Sequence, residues 1–259
     1  MMEILKAHQR IIREQKAQES VHHLFGNEWD GLNVQIENSI VRPIPFGVAE
    51  NIINEYEWLG CMPAITYFCY GIYFDGVCGG VVVYSNEYAE NLGVWDKYGY
   101  TGKILLLSRG ACVHWAHPHS ASRLIAQSMK LLPSRYTVVT ATADEAAGEI
   151  GTIYQACNFH YVGRMREPGG KLYERYIYVI DGKQISERQI RRMVGTENMD
   201  EVRKKYPQAR QIKQRCKARY FSFRGSKKEK KANLVAIAHL LQPYPKRTET
   251  HHDAHPRLH

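Results

Sequence analysis

"LLLSRGACVHWAHPHSASRLIAQSMKLL", residues 105–132, changes periodicity halfway along. It opens as an apolar strand, "LLLSRGACV", and closes as an amphipathic helix, "SASRLIAQSMKLL". A polar bend crowded with His, Ser and Arg separates them. The next segment, "YTVVTATAD" (136–144), reads as a second strand. A helix that crosses between two neighbouring strands makes them parallel, so Leu105 and Val138 should lie side by side in a mixed α/β sheet.

Working outward, "ITYFCYGIYFDGVCGGVVVYS" (65–85) is two β-branched and aromatic runs joined by Asp75-Gly76, the dipeptide that supplies positive φ for a tight hairpin. Upstream, "FGVAENIINEYEWLG" (46–60) places Val48, Ile52, Ile53 and Tyr56 on one face of a helix stopped by Gly60. Leu32–Ile36 is a short strand candidate. Residues 1–20 form an amphipathic helix with Ile4, Leu5, Ile11 and Ile12 at helical spacing, suited to packing on the core or on a second subunit. Downstream, "GEIGTIYQACNF" (148–159) is a helix and "YERYIYVID" (173–181) a strand. Strands alternating with helices define an α/β fold with a mixed sheet and flanking helices.

The bend itself sits where open α/β sheets bind ligands, outside the carboxyl ends of parallel strands. The helix after it starts near Ser120 or Ser122. Its free N–H groups and dipole suit an anion, with Arg109 and Arg123 on either side. A plain N-cap serine and a surface ion-pair arginine fit the same residues. His114, His117 and His119 are open between metal ligands and solvated or core-satisfied imidazoles.

The chain has 259 residues and 44% hydrophobic content, enough for a sizeable core. No run nears eighteen apolar residues, and the charged N-terminus lacks an apolar signal core, so a soluble, cytoplasmic protein with no membrane partner is expected. The six cysteines are far apart without a C-x-x-C pair, which favours buried reduced thiols over a zinc cluster. Net charge is +9, and residues 182–231 hold 17 Lys/Arg against 5 Asp/Glu, so this stretch carries +12 and the remainder −3. Three units are therefore expected: 1–181 as the α/β domain, 182–241 as a basic helical and aromatic extension, and 242–259 as a flexible tail whose histidines are solvated. Arg215, Lys217, Arg219, Arg224, Lys227 and Lys228 are candidates for phosphate contacts. Tyr220, Phe221 and Phe223 are candidates to stack on a base.

The segment "GEIGTIYQACNFHYVG" resembles the late helix of the GNAT acyltransferase superfamily, with Tyr154 standing to Asn158-Phe159 as that superfamily's Tyr stands to its Gly-Phe or Asn-Phe pair. The element order over about residues 45–180 is similar too. The glycine-rich pyrophosphate turn is replaced by "HPHSASRL". More specifically, "LSRGACVHWAHPHSASRLI", "VVTATADEAAGEIGTIYQACNFHYVG", "YEWLGCMPA" and "KARYFSFRGSKKEKK" are similar, in order and spacing, to the Mom family of phage DNA-modification proteins. That resemblance implies a GNAT-like fold and an enzyme that carbamoylmethylates the exocyclic 6-amino group of adenine in duplex DNA, shielding phage DNA from restriction in the bacterial host.

The resemblance places the functional Arg of "SRG" on Arg109, the helix-start Ser on Ser122, the Asp of the "AD" turn on Asp144 and the helix Tyr on Tyr154. Ser120 and Arg123 join Arg109 and Ser122 as binders of a donor's anionic part, an acyl-CoA-like molecule being one such donor. The family's His near the early helix is replaced here by Glu57, which a link to iron would make a carboxylate ligand. Adenine's amine is a poor nucleophile, so a base must take its proton as the bond forms. Asp144 is the expected base or adenine-orienting acceptor and Tyr154 the proton donor. Two further readings are an acyl-CoA-dependent N-acetyltransferase of a protein or small amine, and a non-catalytic phage DNA-binding protein.

Overall fold

The computed structural model describes residues 7–20, 29–86, 99–100, 102–164, 175–214 and 216–246. Its centre is the hairpin the sequence announces: β2 (Phe68–Phe74) and β3 (Val77–Asn86), antiparallel, with Asp75 and Gly76 at φ 46° and 88°. Positive φ at both turn residues matches the twist of the strands, and Asp tolerates it because its short polar side chain satisfies nearby backbone. Here the Asp75 carboxylate accepts the Asn33 N–H at 2.7 Å.

Strand β4 (Ile104–Cys112) pairs antiparallel with β3 and parallel with β5 (Val138–Ala143), and the crossover is helical as expected. The full sheet has seven strands in the order β1-β2-β3-β4-β5-β10-β6, with β1 at Ile40–Pro43, β6 at His160–Arg164 and β10 at Ala218–Phe223. Helix α1 is His8–Ser20 and α2 is Phe46–Tyr56; α2 buries Ala49, Ile53 and Tyr56 against β3 and β4. Helix α3 (Ser120–Leu131) buries Leu124, Ile125 and Ser128 and packs on β1, β2 and β3. Helix α4 (Thr152–Ala156) is a single turn and a half rather than the longer helix expected, because Gly151 at φ 73° starts it late.

The parallel contact is short. Ile104–Leu107 pair with Val138–Ala141, and then the strands part. Arg109–Cys112 stay with β3 while Thr142 and Ala143 stay with β10. The β3–β4 register slips between Val83 and Tyr84, leaving Ser108 as an extra residue on β4. A bulge of this kind bends its strand and re-aims the next side chain, here Arg109. The sheet thus carries a notch at the carboxyl ends of its two parallel strands.

Four expectations change. Leu32–Ile36 is no strand: a 3-10 turn at Ile36–Asn38 leads into β1, which takes the edge position beside β2. Residues 173–181 do not extend the main sheet. Instead β7 (Arg175–Ile180) is the middle of a separate three-stranded sheet, β8-β7-β9, with β8 at Lys183–Ser186 and β9 at Arg210–Gln214. Helices α5 (Glu187–Val194) and α6 (Met199–Lys205) cover it, and Tyr178, Ile180, Ile190, Val202 and Ala209 form its own core.

The third change concerns the expected boundary at residue 181, which does not divide the sheet. The chain leaves the sheet after β6, builds this second body, and returns to insert β10 between β5 and β6. The strand is buried on both faces: Tyr220 joins Tyr154 and Tyr161, while Phe221 and Phe223 join Tyr100, Val138 and Ile237. The fourth change is at the expected tail, most of which (247–259) lies outside the described residues. Its first part is docked, with the Gln242 N–H on the Tyr161 carbonyl at 2.9 Å and the Tyr244 hydroxyl on the Phe159 carbonyl at 2.7 Å.

Helix α1 lies over the end of β4, its Gln9 amide donating to the Gly110 carbonyl and Arg13 to the His114 and Ala116 carbonyls. Ile11 of α1 is 37% exposed, and Ile4 and Leu5 lie outside the described residues. All six cysteines are free thiols. No helix among the described residues is long and apolar enough to cross a membrane.

Candidate active site

Seven ionisable side chains meet at the notch. From β4 comes Arg109, whose Nε donates to the Cys61 carbonyl at 2.9 Å and lies 3.9 Å from the Glu57 carboxylate at the end of α2. Asp144 follows β5 directly, is 3% exposed, and is held by the Arg175 guanidinium at 2.9 Å. Lys217, just before β10, feels the charges of Asp144, Arg175, Arg109 and Glu149 together. Tyr154 on α4 feels those of Glu149 and Glu57. Arg109, Asp144 and Tyr154 are thus linked through shared charged neighbours, Glu57, Glu149 and Lys217.

Burial governs the protonation of this group. Desolvation pushes the Glu149 carboxyl up to about 7, with the neighbouring charges of Glu57 and Asp144 adding to the effect and Lys217 opposing it. Glu57 is also raised by burial, against Arg109 and the Leu59 N–H, which its Oε2 accepts at 3.0 Å. Lys217 is lowered by burial. The Tyr154 phenol is pushed far above its ordinary range by burial, so it stays protonated. Its hydroxyl points at the Thr142 carbonyl, 3.5 Å away, and its ring packs on Phe159 and Tyr220.

Glu149 is the residue that sequence reasoning missed. Its carboxylate has no hydrogen-bond or ion-pair partner among the described residues, whereas Asp144 is salt-bridged. The signal was present: an acid in "GEIG", between the end of a parallel strand and the next helix. Gly151 fixes the loop, since a Cβ there would sit 2.4 Å from the Tyr220 ring, whose hydroxyl donates to the Ile150 carbonyl. Arg175 was also missed, because its strand was assigned to the main sheet.

The bend after β4 holds less than expected. Ser120 is 1% exposed and its Oγ has no partner among the described residues; the Ser122 hydroxyl donates to the His119 carbonyl, and its own carbonyl accepts the Cys157 thiol. Arg123 is turned away, donating to the Glu37 and Ser39 carbonyls and tying α3 to the start of β1. His114 bonds the Tyr56 hydroxyl at 3.0 Å beneath Trp29, and His117 accepts the His119 N–H at 3.1 Å. Among the described residues no group of three or more His, Cys, Asp or Glu is arranged to hold a metal. Glu57 does not fit as an iron ligand, because Arg109 and Lys217 place two positive charges beside it.

The basic segment is divided. Arg215 lies outside the described residues. Arg219 is half-buried, and Tyr220, Phe221 and Phe223 are buried in the sheet and cannot stack on a base. Arg224 is likewise structural: its guanidinium holds the Leu132, Pro133 and Tyr136 carbonyls. Of the candidates for phosphate contact, Lys227 and Lys228, on helix α7 (Lys227–Ala236), are the exposed ones among the described residues.

A split parallel pair, a hairpin before it and an antiparallel strand between β5 and β6 define a mixed α/β protein with a cluster of ionisable side chains at the split. Residues 38–246 match the Mom protein family, and the chain belongs to that family. No curated protein matches the sequence. Among solved structures, the aminoglycoside acetyltransferase AAC(6')-Ib with coenzyme A is similar at 13% identity and TM-score 0.37, over 51% of this chain and 90% of that one. The IAA acetyltransferase of Bacillus cereus is similar at 10% identity and TM-score 0.37, over 72% and 99%. A polyamine N-acetyltransferase of Drosophila melanogaster stands at 11% identity and TM-score 0.37, over 72% and 100%.

Proposed function

We propose that this protein is a DNA-modifying transferase that places a carbamoylmethyl group on the exocyclic amine of adenine in phage DNA, protecting it from host restriction. Membership of the Mom family supports the substrate. The observation that carries the chemistry is a carboxyl without a partner among the described residues, Glu149, which burial pushes up to about 7 beside a salt-bridged Asp144 and a phenol that stays protonated.

In this reading the adenine is extruded from the duplex into the notch, at a cost of a few kcal/mol. The Asp144 carboxylate, anchored by Arg175, orients the amine. As the amine nitrogen bonds to the donor's methylene carbon, Glu149 takes the proton that nitrogen loses. The bond from that carbon to the leaving group breaks with its electron pair on the leaving group, and Tyr154 supplies the proton there. Arg109 and Lys217 hold the donor's anionic part, the task first assigned to Arg109 with Ser122. A base with a pKa near 7 is half ionised at neutral pH, which suits both halves of the proton transfer.

Mass spectrometry of nucleosides from cells expressing the protein tests this reading. Deoxyadenosine should gain one carbamoylmethyl group in place of a hydrogen, and Glu149→Gln should remove the product from cells that make normal amounts of protein. Unmodified nucleosides together with acetyl transfer from acetyl-CoA to a protein or small amine would overturn it. Unmodified nucleosides with tight duplex binding and no transfer of any kind would leave a non-catalytic DNA-binding protein.

A further inference from the structure

We infer that the second body, residues 175–214, is the surface on which duplex DNA docks, with its phosphates on the end formed by the carboxyl termini of α5 and α6 and the start of β9. The inference rests on the proposed action on DNA and goes further by choosing between two basic surfaces.

The first argument is topological. Strand β6 runs parallel to β5, because both lie antiparallel to β10. The chain therefore leaves the sheet at the notch end and re-enters there through Lys217, so both roots of the inserted body stand at the site. Each root also places a cation in it: Arg175 on Asp144, and Lys217 among Asp144, Arg109 and Glu149. The lysines of α7 follow Phe223, which pairs with Val138 at the opposite end of β5. Five residues of strand, at about 3.4 Å each, put them roughly 17 Å from the notch.

The second argument is the placement of charge. Residues 175–214 hold 10 Lys/Arg and 5 Asp/Glu. Lys205 of α6 donates to the Met193 carbonyl of α5 at 2.8 Å, and Arg203 to the Ala209 carbonyl at 3.3 Å, just before β9. These bonds draw Arg192, Arg203, Lys204, Lys205 and Arg210 to one end of the body, and all five are exposed. Two acids, Asp200 and Glu201, sit in the first turn of α6; Glu201 pairs with Lys204 at 2.6 Å and Glu197 with Arg191. Some of this charge complements the helix dipoles. Five cations on a body of forty residues exceed what two short helices need, and a phosphate backbone is the partner that such an array fits.

The third argument is reach. Strand β9 runs from Arg210, which pairs with Val179, to Gln214, which pairs with Arg175 at the notch. Four residues span about 14 Å, comparable with the distance from a backbone docked on the cation end to a base swung out of the stack.

The test uses the full-length protein and a duplex of about 25 base pairs, with binding followed by fluorescence anisotropy across a salt series. One variant carries Arg192→Gln, Lys204→Gln and Arg210→Gln, which spares Arg203 and Lys205 because they hold backbone carbonyls. The other carries Lys227→Gln, Lys228→Gln, Lys230→Gln and Lys231→Gln. The first should bind at least tenfold more weakly and lose about 2–3 from the slope of log affinity against log salt. The second should stay within about twofold of the parent. Unchanged binding and slope in the first, or the loss appearing in the second, overturns the inference, as does a parent protein that binds single strands but no duplex. Circular dichroism spectra matching the parent's confirm that the variants fold. Should nucleosides prove unmodified while the first variant still loses duplex binding, docking survives and the proposed reaction falls. Modification with no change in the first variant's binding gives the reverse.

Discussion

Strand β10 is bracketed by two cations, Lys217 at one end and Arg224 at the other, and they live in opposite circumstances. Arg224 donates to three backbone carbonyls, those of Leu132, Pro133 and Tyr136, and closes the loop that joins α3 to β5. Lys217 is held among two carboxylates and two guanidiniums, with burial lowering its pKa. A cation bonded to backbone carbonyls stabilises the fold; one held among unsettled charges costs stability and is kept for chemistry. The same contrast separates Asp144, salt-bridged to Arg175, from Glu149, without a partner among the described residues.

The sharpest break in that comparison is Glu149→Gln. A positioned base contributes about 10²–10⁴-fold to rate, so modification should fall by that much. Stability should move the other way. The folded carboxyl titrates at about 7 against an ordinary 4.5, so the folded state binds the proton more tightly. This group's contribution is full below pH 4.5 and is lost as pH rises through about 7. Gln, always neutral, removes that loss: the variant should melt higher than the parent at pH 8 and no higher at pH 4.5. An equal melting temperature at both pH values, with activity retained, would return the base assignment to Asp144.

Arg224→Met is expected to do the reverse. Three carbonyls would lose a charged donor, costing about 2–4 kcal/mol of stability. The turnover of the surviving folded protein should hold, because this end of the sheet is remote from the notch. Urea titration gives the first quantity and product formed per folded molecule the second. A variant as stable as the parent would show that these carbonyls are served equally well by water.

Lys217→Met separates charge from packing at the notch itself. Removing the cation deprives Glu149 of the one neighbour that lowers its pKa, so its titration should move above about 7. The rising limb of the rate against pH should shift to higher pH with it. Stability should change little, since an isosteric apolar side chain replaces a buried charge. A lower rate with an unmoved pH profile would make Lys217 a donor-binding residue only.

The two ends also differ in how far the sequence discloses them. Both the parallel pair and the hairpin follow from local signals, a change of period at residues 105–132 and Asp75-Gly76, and Arg109, Asp144 and Tyr154 lie within or directly after elements so found. Glu149 and Arg175 escape because burial, not motif, makes them distinctive, and burial depends on β10, which arrives from 70 residues away. "KARYFSF" alternates with the period of a strand, yet its basic flanks suggest a solvated nucleic-acid surface. Charge density along a chain cannot tell which cations face carbonyls, which face carboxylates and which face water; those choices are set by tertiary neighbours.

Phe223→Leu brings that ambiguity to a measurement, with the smallest effect of the set. Phe223 is 6% exposed and packs on Tyr100, with ring centres 5.9 Å apart. As a core residue it should lose about 1 kcal/mol of stability on substitution, since Leu keeps most of the buried surface but gives up the aromatic contact. Duplex affinity should not move. An aromatic that stacks on a nucleic-acid base is worth about 1–3 kcal/mol of binding, which is roughly five- to 150-fold in affinity. Anisotropy resolves a fivefold change readily, so a loss of that size with stability preserved would mean that β10 detaches from the sheet when DNA binds. An unchanged affinity with a modest fall in melting temperature keeps the strand in the core and leaves DNA contact to the inserted body.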